Sequence, residues 1–134
     1  MPDHMSPEQR SRAMKRVKQK NGSLEKLLQR ELRAAGLCYR CHTRSLPGSP
    51  DIVFSKQRVA VFVDGDFWHG WRLPTWEHKL TEFWRDKLRA NRARDKRTFS
   101  RLRTKGWKVI RVWQHELERG NASRFLQRIQ SALL

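Results

Sequence analysis

Two apolar runs, DIVFS at 51–55 and RVAVFVD at 58–64, are separated only by Lys56-Gln57. Short runs of β-branched and aromatic residues read as strands, and so brief a break between them predicts a hairpin. Such a sheet has to be covered, and the flanking sequence supplies helices. Asn21-Gly22-Ser23 caps a helix whose Leu24, Leu27, Leu28 and Leu32 follow the 3.6-residue period and which ends at Gly36. A long helix is expected from about Thr81 to Lys105, stopped by Gly106. WKVIRVW at 107–113 then reads as a strand, and Ser123 to Leu133 as a closing amphipathic helix. LCYRCH at 37–42 reads as a further strand and SLPGSP as a turn-rich loop. The order of elements predicts an α/β or α+β chain, a mixed sheet covered by helices.

Ser6-Pro7-Glu8-Gln9 has the form of a helix start, with Ser as cap, Pro at the first position and Gln reaching back. A short basic helix, about Pro7 to Lys18, is expected to follow. It holds few apolar residues, so 1–20 is read as a basic surface arm and 21–134 as a single domain, in keeping with a length of 134 residues. No run approaches the roughly 18 apolar residues of a membrane span, and MPDHMSPEQR lacks a signal peptide's apolar core. The expected location is cytoplasmic. Cys38 and Cys41 are too few for a secreted disulfide framework. Cys38-Tyr39-Arg40-Cys41-His42 matches a haem-attachment pattern only formally; without an export signal or a second ligand pair it reads as packed or partly exposed thiols.

The net charge of +17 is spread along the chain rather than confined to a tail. It points to a polyanion, since each cation set against a phosphate releases condensed counterions. In the long helix Trp84, Leu88, Asn91, Asp95, Phe99 and Leu102 share one face, apolar except at its centre. Asp95 on that face needs a partner, either an internal Arg or a histidine that it orients. Asp51 opens one strand and Asp64 closes the next, so a hairpin brings both carboxylates to one sheet end, where like charges ask for a cation. Joined by Glu25, this is the oxygen-rich set that phosphodiester hydrolysis uses to hold Mg²⁺, although a strand-end Asp is also a common turn residue. Beyond it, Gly65 to Lys79 holds four aromatics. His69 there is a candidate proton carrier. Phe67, Trp68, Trp71, Trp76 and Trp84 read either as lids over the sheet or as wedges between base pairs.

RSRAMKRVK, SLEKLL, LPGSPDIVF, VAVFVDGDFWHG, EFWRDKLRANRARD and LRTKGWKVIRVW, taken in order, resemble the very short patch repair (Vsr) mismatch endonucleases. The resemblance runs from about Ser6 to Leu117. It implies a restriction-endonuclease-like PD-(D/E)xK fold with an αβββαβ core, and Mg²⁺-dependent nicking beside a T:G mismatch in double-stranded DNA by an intracellular, nucleoid-associated monomer. By position it implies metal contacts from Asp51 and the Val63 carbonyl, His69 as the catalytic histidine with Asp95 as its partner, and Glu25 as the supporting acid. Asp64 stands where some members have a histidine; with Asp51 it is expected to favour Mg²⁺, with Mn²⁺ as the alternative. Met14 in the arm, beside Arg12 and Lys15, would probe the minor groove, while Phe67, Trp68 and Trp84 would wedge in from the other side. Well-known members carry a structural zinc at places that hold Asp66, Trp71, Leu73 and His115 here. The resemblance therefore carries over no standard zinc site, and aromatic packing around Trp71 and Trp76 is expected to replace it. The rival readings are a Vsr-like homing or defence nuclease without mismatch preference, and a silent DNA-bending module.

Overall fold

The computed structural model describes residues 22–41, 43–67, 69–71, 73–120 and 122–134, and leaves undescribed the side chains of Pro74 and Trp76. The expected arm helix with Arg12, Met14 and Lys15 lies outside the described residues, as does Trp68.

Helix α1 covers 22–34 and buries Leu24, Leu28 and Leu32. It closes where the Gly36 stop was expected, with the Leu37 N–H donating to the Leu32 carbonyl (3.0 Å) and the Gly36 N–H to that of Arg33 (3.0 Å), a Schellman pattern. Four strands follow in spatial order: β1 (Arg40–Cys41), β2 (Ile52–Phe54), β3 (Val59–Asp64) and β4 (Lys108–Trp113). β1, β2 and β3 pair antiparallel, whereas β3 and β4 are parallel, with Phe62 beside Arg111 and Asp64 beside Trp113. Between β3 and β4 run α2 (Leu73–Trp76), a 3₁₀ turn (Glu77–Lys79) and α3 (Glu82–Thr104). The short α4 (Gln114–Glu118) and α5 (Ala122–Leu133) complete the order.

The expected hairpin is present, but its turn is longer. Ser55 to Arg58 all belong to it, with Arg58 in the left-handed region (φ 55) and its N–H on the Ser55 carbonyl (3.3 Å). A chain that turns through a left-handed residue cannot keep that residue in the ladder, so both strands shorten. The expected 37–42 strand contracts to Arg40–Cys41, a two-residue edge.

All six residues of β3 are buried, as a strand covered on both faces requires. Its odd positions, Val59, Val61 and Val63, pack with Ile52, Phe54 and Val112 against Leu24, Leu28 and Leu32 of α1 and Phe125 and Ile129 of α5. Its even positions, Ala60 and Phe62, face Phe99 and Leu102 of α3. The Phe62 and Phe99 rings meet edge-on, with centroids 4.9 Å apart. This contact indexes the site: two residues along β3 lies Asp64, one helical turn back along α3 lies Asp95, and beside Phe62 in β4 lies Arg111.

Candidate active site

Asp64 is 3% exposed on the α3 face of the sheet. A carboxylate so buried is costly unless paired. Its first partner is Arg111, whose Nε donates to Asp64 Oδ2 at 2.5 Å while Nη2 of the same guanidinium reaches Asp95 Oδ2 at 3.3 Å. Asp64 was expected to hold a divalent ion together with Asp51; in the structure its Oδ2 is met by the Arg111 guanidinium. Arg111 itself lies over the rings of Trp113 (4.2 Å) and Phe99 (4.9 Å).

His69 enters from the loop after β3. Its Nδ1 is 2.7 Å from Asp95 Oδ2 and its Nε2 3.4 Å from Asp64 Oδ1, so a carboxylate faces each ring nitrogen. An ionised Asp95 can only accept, which puts a proton on Nδ1. Burial pulls the His69 pKa down, but the Asp95 hydrogen bond and the charges of Asp64 and Asp95 outweigh it and leave the imidazole above its usual value. For Asp64 burial is the largest influence; it raises the carboxyl above the usual range against the pull of His69 and Arg111. Of the two partners left open for Asp95, His and Arg, the structure brings both.

Asp51 lies just before β2, and its Oδ2 accepts the Val63 N–H at 2.8 Å. The N–H and C=O of one strand residue point to the same edge, so the Val63 carbonyl is aimed to the Asp51 side. Glu25 is reached through Gln29, whose Nε2 donates towards Glu25 Oε1 (3.5 Å) and Cys41 Sγ (3.4 Å). Partial burial, then the charges of Glu25 and Asp51, raise the Cys41 thiol pKa, which sets both carboxylates near that thiol. The candidate residues thus form two groups at one end of β3, Glu25 and Asp51 on one side and Asp64, His69 and Asp95 on the other. Among the described residues no cluster of three or more His, Cys, Asp or Glu is arranged as a metal cage.

The aromatic residues divide. Trp84 is 9% exposed, with Phe67 and Phe83 edge-on to its ring at 5.5 and 5.2 Å. The readings of Trp84 as core or wedge resolve towards core in the free protein. Phe67 and Phe83, each 39% exposed, form an apolar surface over Trp84. Phe83 and Arg111 went unnoticed in the sequence. Phe83 could have been found as the outward neighbour of a buried helix aromatic, and Arg111 as a cation flanked on both sides by apolar residues in the middle of a strand run.

Trp71 stacks on His115 with ring centroids 4.0 Å apart, and His115 Nδ1 lies 2.9 Å from Asp66 Oδ1. The Asp66 N–H also donates to Gln114 Oε1 (3.2 Å), so this cluster ties the His69 loop to the end of β4. On the other flank a cavity of about 410 Å³ is lined by Arg92, Ala93, Lys96, Phe99 and Arg111. Gly70 (φ 68) lets the Arg92 stem cross the chain beside His69, because an added Cβ would lie 2.8 Å from Arg92 Cδ.

A family model described as DNA mismatch endonuclease Vsr matches residues 2–74. The chain belongs to the Vsr family. It is 43% identical over 119 residues to the type II nicking enzyme V.XorIIP of Xanthomonas oryzae pv. oryzae, covering 87% of this chain and 88% of the relative. It is 37% identical over 135 residues to the type II nicking enzyme V.HpaIIP of Haemophilus parainfluenzae, covering 98% and 95%. With the DNA mismatch endonuclease Vsr of Escherichia coli K12 it shares 37% over 110 residues, covering 78% and 69%. This Vsr-family member is a DNA endonuclease of a generally metal-dependent family. Among the described residues no helix is long and apolar enough to cross a membrane.

Proposed function

We propose that the chain nicks one strand of duplex DNA beside a T:G mismatch, of the kind left by deamination of 5-methylcytosine, through water attack on a phosphodiester. The observation that carries this is His69 set between Asp95 and Asp64 next to the Asp51–Val63 contact, in a +17 chain of the Vsr family. The fold is then the restriction-endonuclease-like arrangement that the family implies, and the enzyme works as a cytoplasmic monomer on nucleoid DNA.

The oxygen donors fit Mg²⁺, with Mn²⁺ as an alternative: Asp51 and the Val63 carbonyl would hold the ion, with Glu25 supporting its waters. Bound there, it supplies Lewis-acid polarisation of the phosphoryl oxygen and a more acidic water. His69 keeps its proton to higher pH than a free imidazole and is set to give it to the leaving oxygen, regaining one from the solvent side. Asp95 fixes the ring through Nδ1 and leaves Nε2 for transfer. Phe67, two residues before His69, supports a wedge that enters the duplex with Trp68, while Met14, Arg12 and Lys15 hold the opposite groove. A mismatched step costs less to unstack than a paired one, so deformability carries discrimination.

Single-turnover nicking of matched and T:G duplexes, with Mg²⁺ and with EDTA, tests the reading. Metal-dependent nicking of the T:G strand alone is expected. His69→Ala and Asp51→Ala should bind DNA nearly as well as the parent but lose nicking; substantial cleavage by both sinks the assignment. The names of two relatives, type II nicking enzymes, favour one second reading. In it the chain is a nicking enzyme for defence or homing without mismatch preference, and equal cutting of matched DNA decides for it.

A further inference from the structure

We infer that the cavity between α3 and β4 is a track for the cleaved strand on the leaving-oxygen side of the nick, where Arg92 and Lys96 each take one of two successive backbone phosphates. The inference rests on the nuclease reading of the neighbouring centre and adds to it the course of the strand.

The cavity, about 410 Å³, is lined by Arg92, Ala93, Lys96, Phe99 and Arg111, so every charged residue in its wall is a cation. The three cations are differently engaged. Arg111 gives its guanidinium to Asp64 and Asp95, which offsets the repulsion those carboxylates exert on a phosphate. Arg92 and Lys96 enter no ion pair among the described residues. Glu77, held below the usual carboxylate range first by its hydrogen bonds to Arg89 (2.9 and 2.6 Å), feels Arg92 only as a charge beyond ion-pair reach. Arg92 is nonetheless held in place. Its stem crosses the chain at Gly70, next to His69, where an added Cβ would lie 2.8 Å from Arg92 Cδ. Lys96 follows four residues on, about 6 Å along the helix axis. Successive phosphates of one strand advance by about 3.4 Å along the duplex and further along their winding path, so the two spacings are alike. Strand order fixes the side. Asp51 lies just before β2, Asp64 ends β3 with His69 in the loop beyond, and Arg111 belongs to β4, so the proposed ion and the cavity flank His69. A strand held at the ion by its scissile phosphate, with its leaving oxygen at His69, next meets Arg92 and Lys96.

Duplexes carrying one methylphosphonate, which removes the charge of a single phosphate, test this by fluorescence anisotropy in EDTA. Scanned along the cleaved strand, two neighbouring positions on the leaving-oxygen side should each cost the parent roughly tenfold in affinity. Arg92→Met keeps the stem against Gly70 and should abolish the sensitivity at one of them; Lys96→Met should abolish it at the other, with the parent's losses kept elsewhere. Arg92→Lys restores a charge and should restore part of the sensitivity at its position. Losses at the two phosphates that persist in both variants, or variants that weaken binding equally at every position, overturn the inference. So does a rise in the parent's melting temperature with inorganic phosphate, lost in both variants, if no scanned position couples to them, because that marks a free-anion site. Should Arg92→Met fail to fold, Lys96→Met, at an exposed position of α3, decides by its own phosphate. The readout needs no cleavage: a chain that binds but nicks no duplex would end the nuclease reading, while the coupled positions still show or deny the two grips.

Discussion

Replacing Asp95 by Asn removes one charge from the His69 network while keeping its shape. Opposite charges some 4 Å apart attract by about 4 kcal/mol at an effective dielectric of 20. His69 and Asp95 keep 20% and 17% exposure, and solvent screening roughly halves that figure. About 2 kcal/mol corresponds to about 1.5 pKa units. The His69 pKa, read from its ring resonances in an NMR titration, should therefore fall by about 1 to 2 units in Asp95→Asn. The sign carries over to stability. An imidazole whose folded pKa is raised above the ordinary 6.5 stabilises the fold fully below 6.5 and loses that contribution as pH climbs through the folded value. The melting-temperature deficit of Asp95→Asn should thus be largest in mild acid and shrink towards alkaline pH. A fall of less than about 0.5 unit, or a deficit that grows with pH, would refute the view that Asp95 sets the charge of His69.

Three further outcomes are expected. Arg92→Ala with Lys96→Ala should lower the slope of log affinity for DNA against log salt by about 2, since each cation lost spares about one counterion; an unchanged slope places the phosphate path elsewhere. Phe67→Ala and Phe83→Ala should lower the melting temperature, because each uncovers Trp84, and should narrow the preference for T:G over matched duplex in competition binding by folded protein, whereas an intact preference removes the wedge. Metal analysis of the purified chain should find no stoichiometric zinc, and Trp71→Ala should cost about 1 to 3 kcal/mol in denaturant melts; one tightly bound zinc per chain would show that the Asp66–His115–Trp71 contact is not what fastens the loop.

The elements legible in the sequence were those written in local pattern. The β2–β3 hairpin, the 3.6-residue stripes of α1 and α3 and the stops at Gly36 and Gly106 depend on neighbours a few residues away. The stripe even exposed Asp95 as a misfit, and His69 proved to be beside it. Arg111 stayed hidden because its meaning lies in register: only parallel pairing with β3 sets it next to Phe62 and hence between Asp64 and Asp95. Trp84 was ambiguous for a similar reason, its burial being decided by Phe67 and Phe83, one of them from another segment. The strand expected at 37–42 is there but keeps only two residues, and the one-turn helices α2 and α4 carry too little periodicity to announce themselves.

The crossover that brings β4 alongside β3 also bears on how such an enzyme is made. A chain of charge +17 will cling to any duplex it meets, so a half-made molecule able to cut would be a hazard to the cell that makes it. Synthesis delivers β3 and His69 first, α3 with Asp95 next, and β4 with Arg111 only after both. Until that last strand docks, Asp64 and Asp95 have no guanidinium to tie them together, and His69 has only Asp95 and Asp64 beside it. If the proposed roles of Asp64, His69 and Asp95 hold, a nascent chain or a product truncated before β4 should lack a completed hydrolytic centre. On that reading, hydrolytic competence is expected to arrive together with the completed sheet.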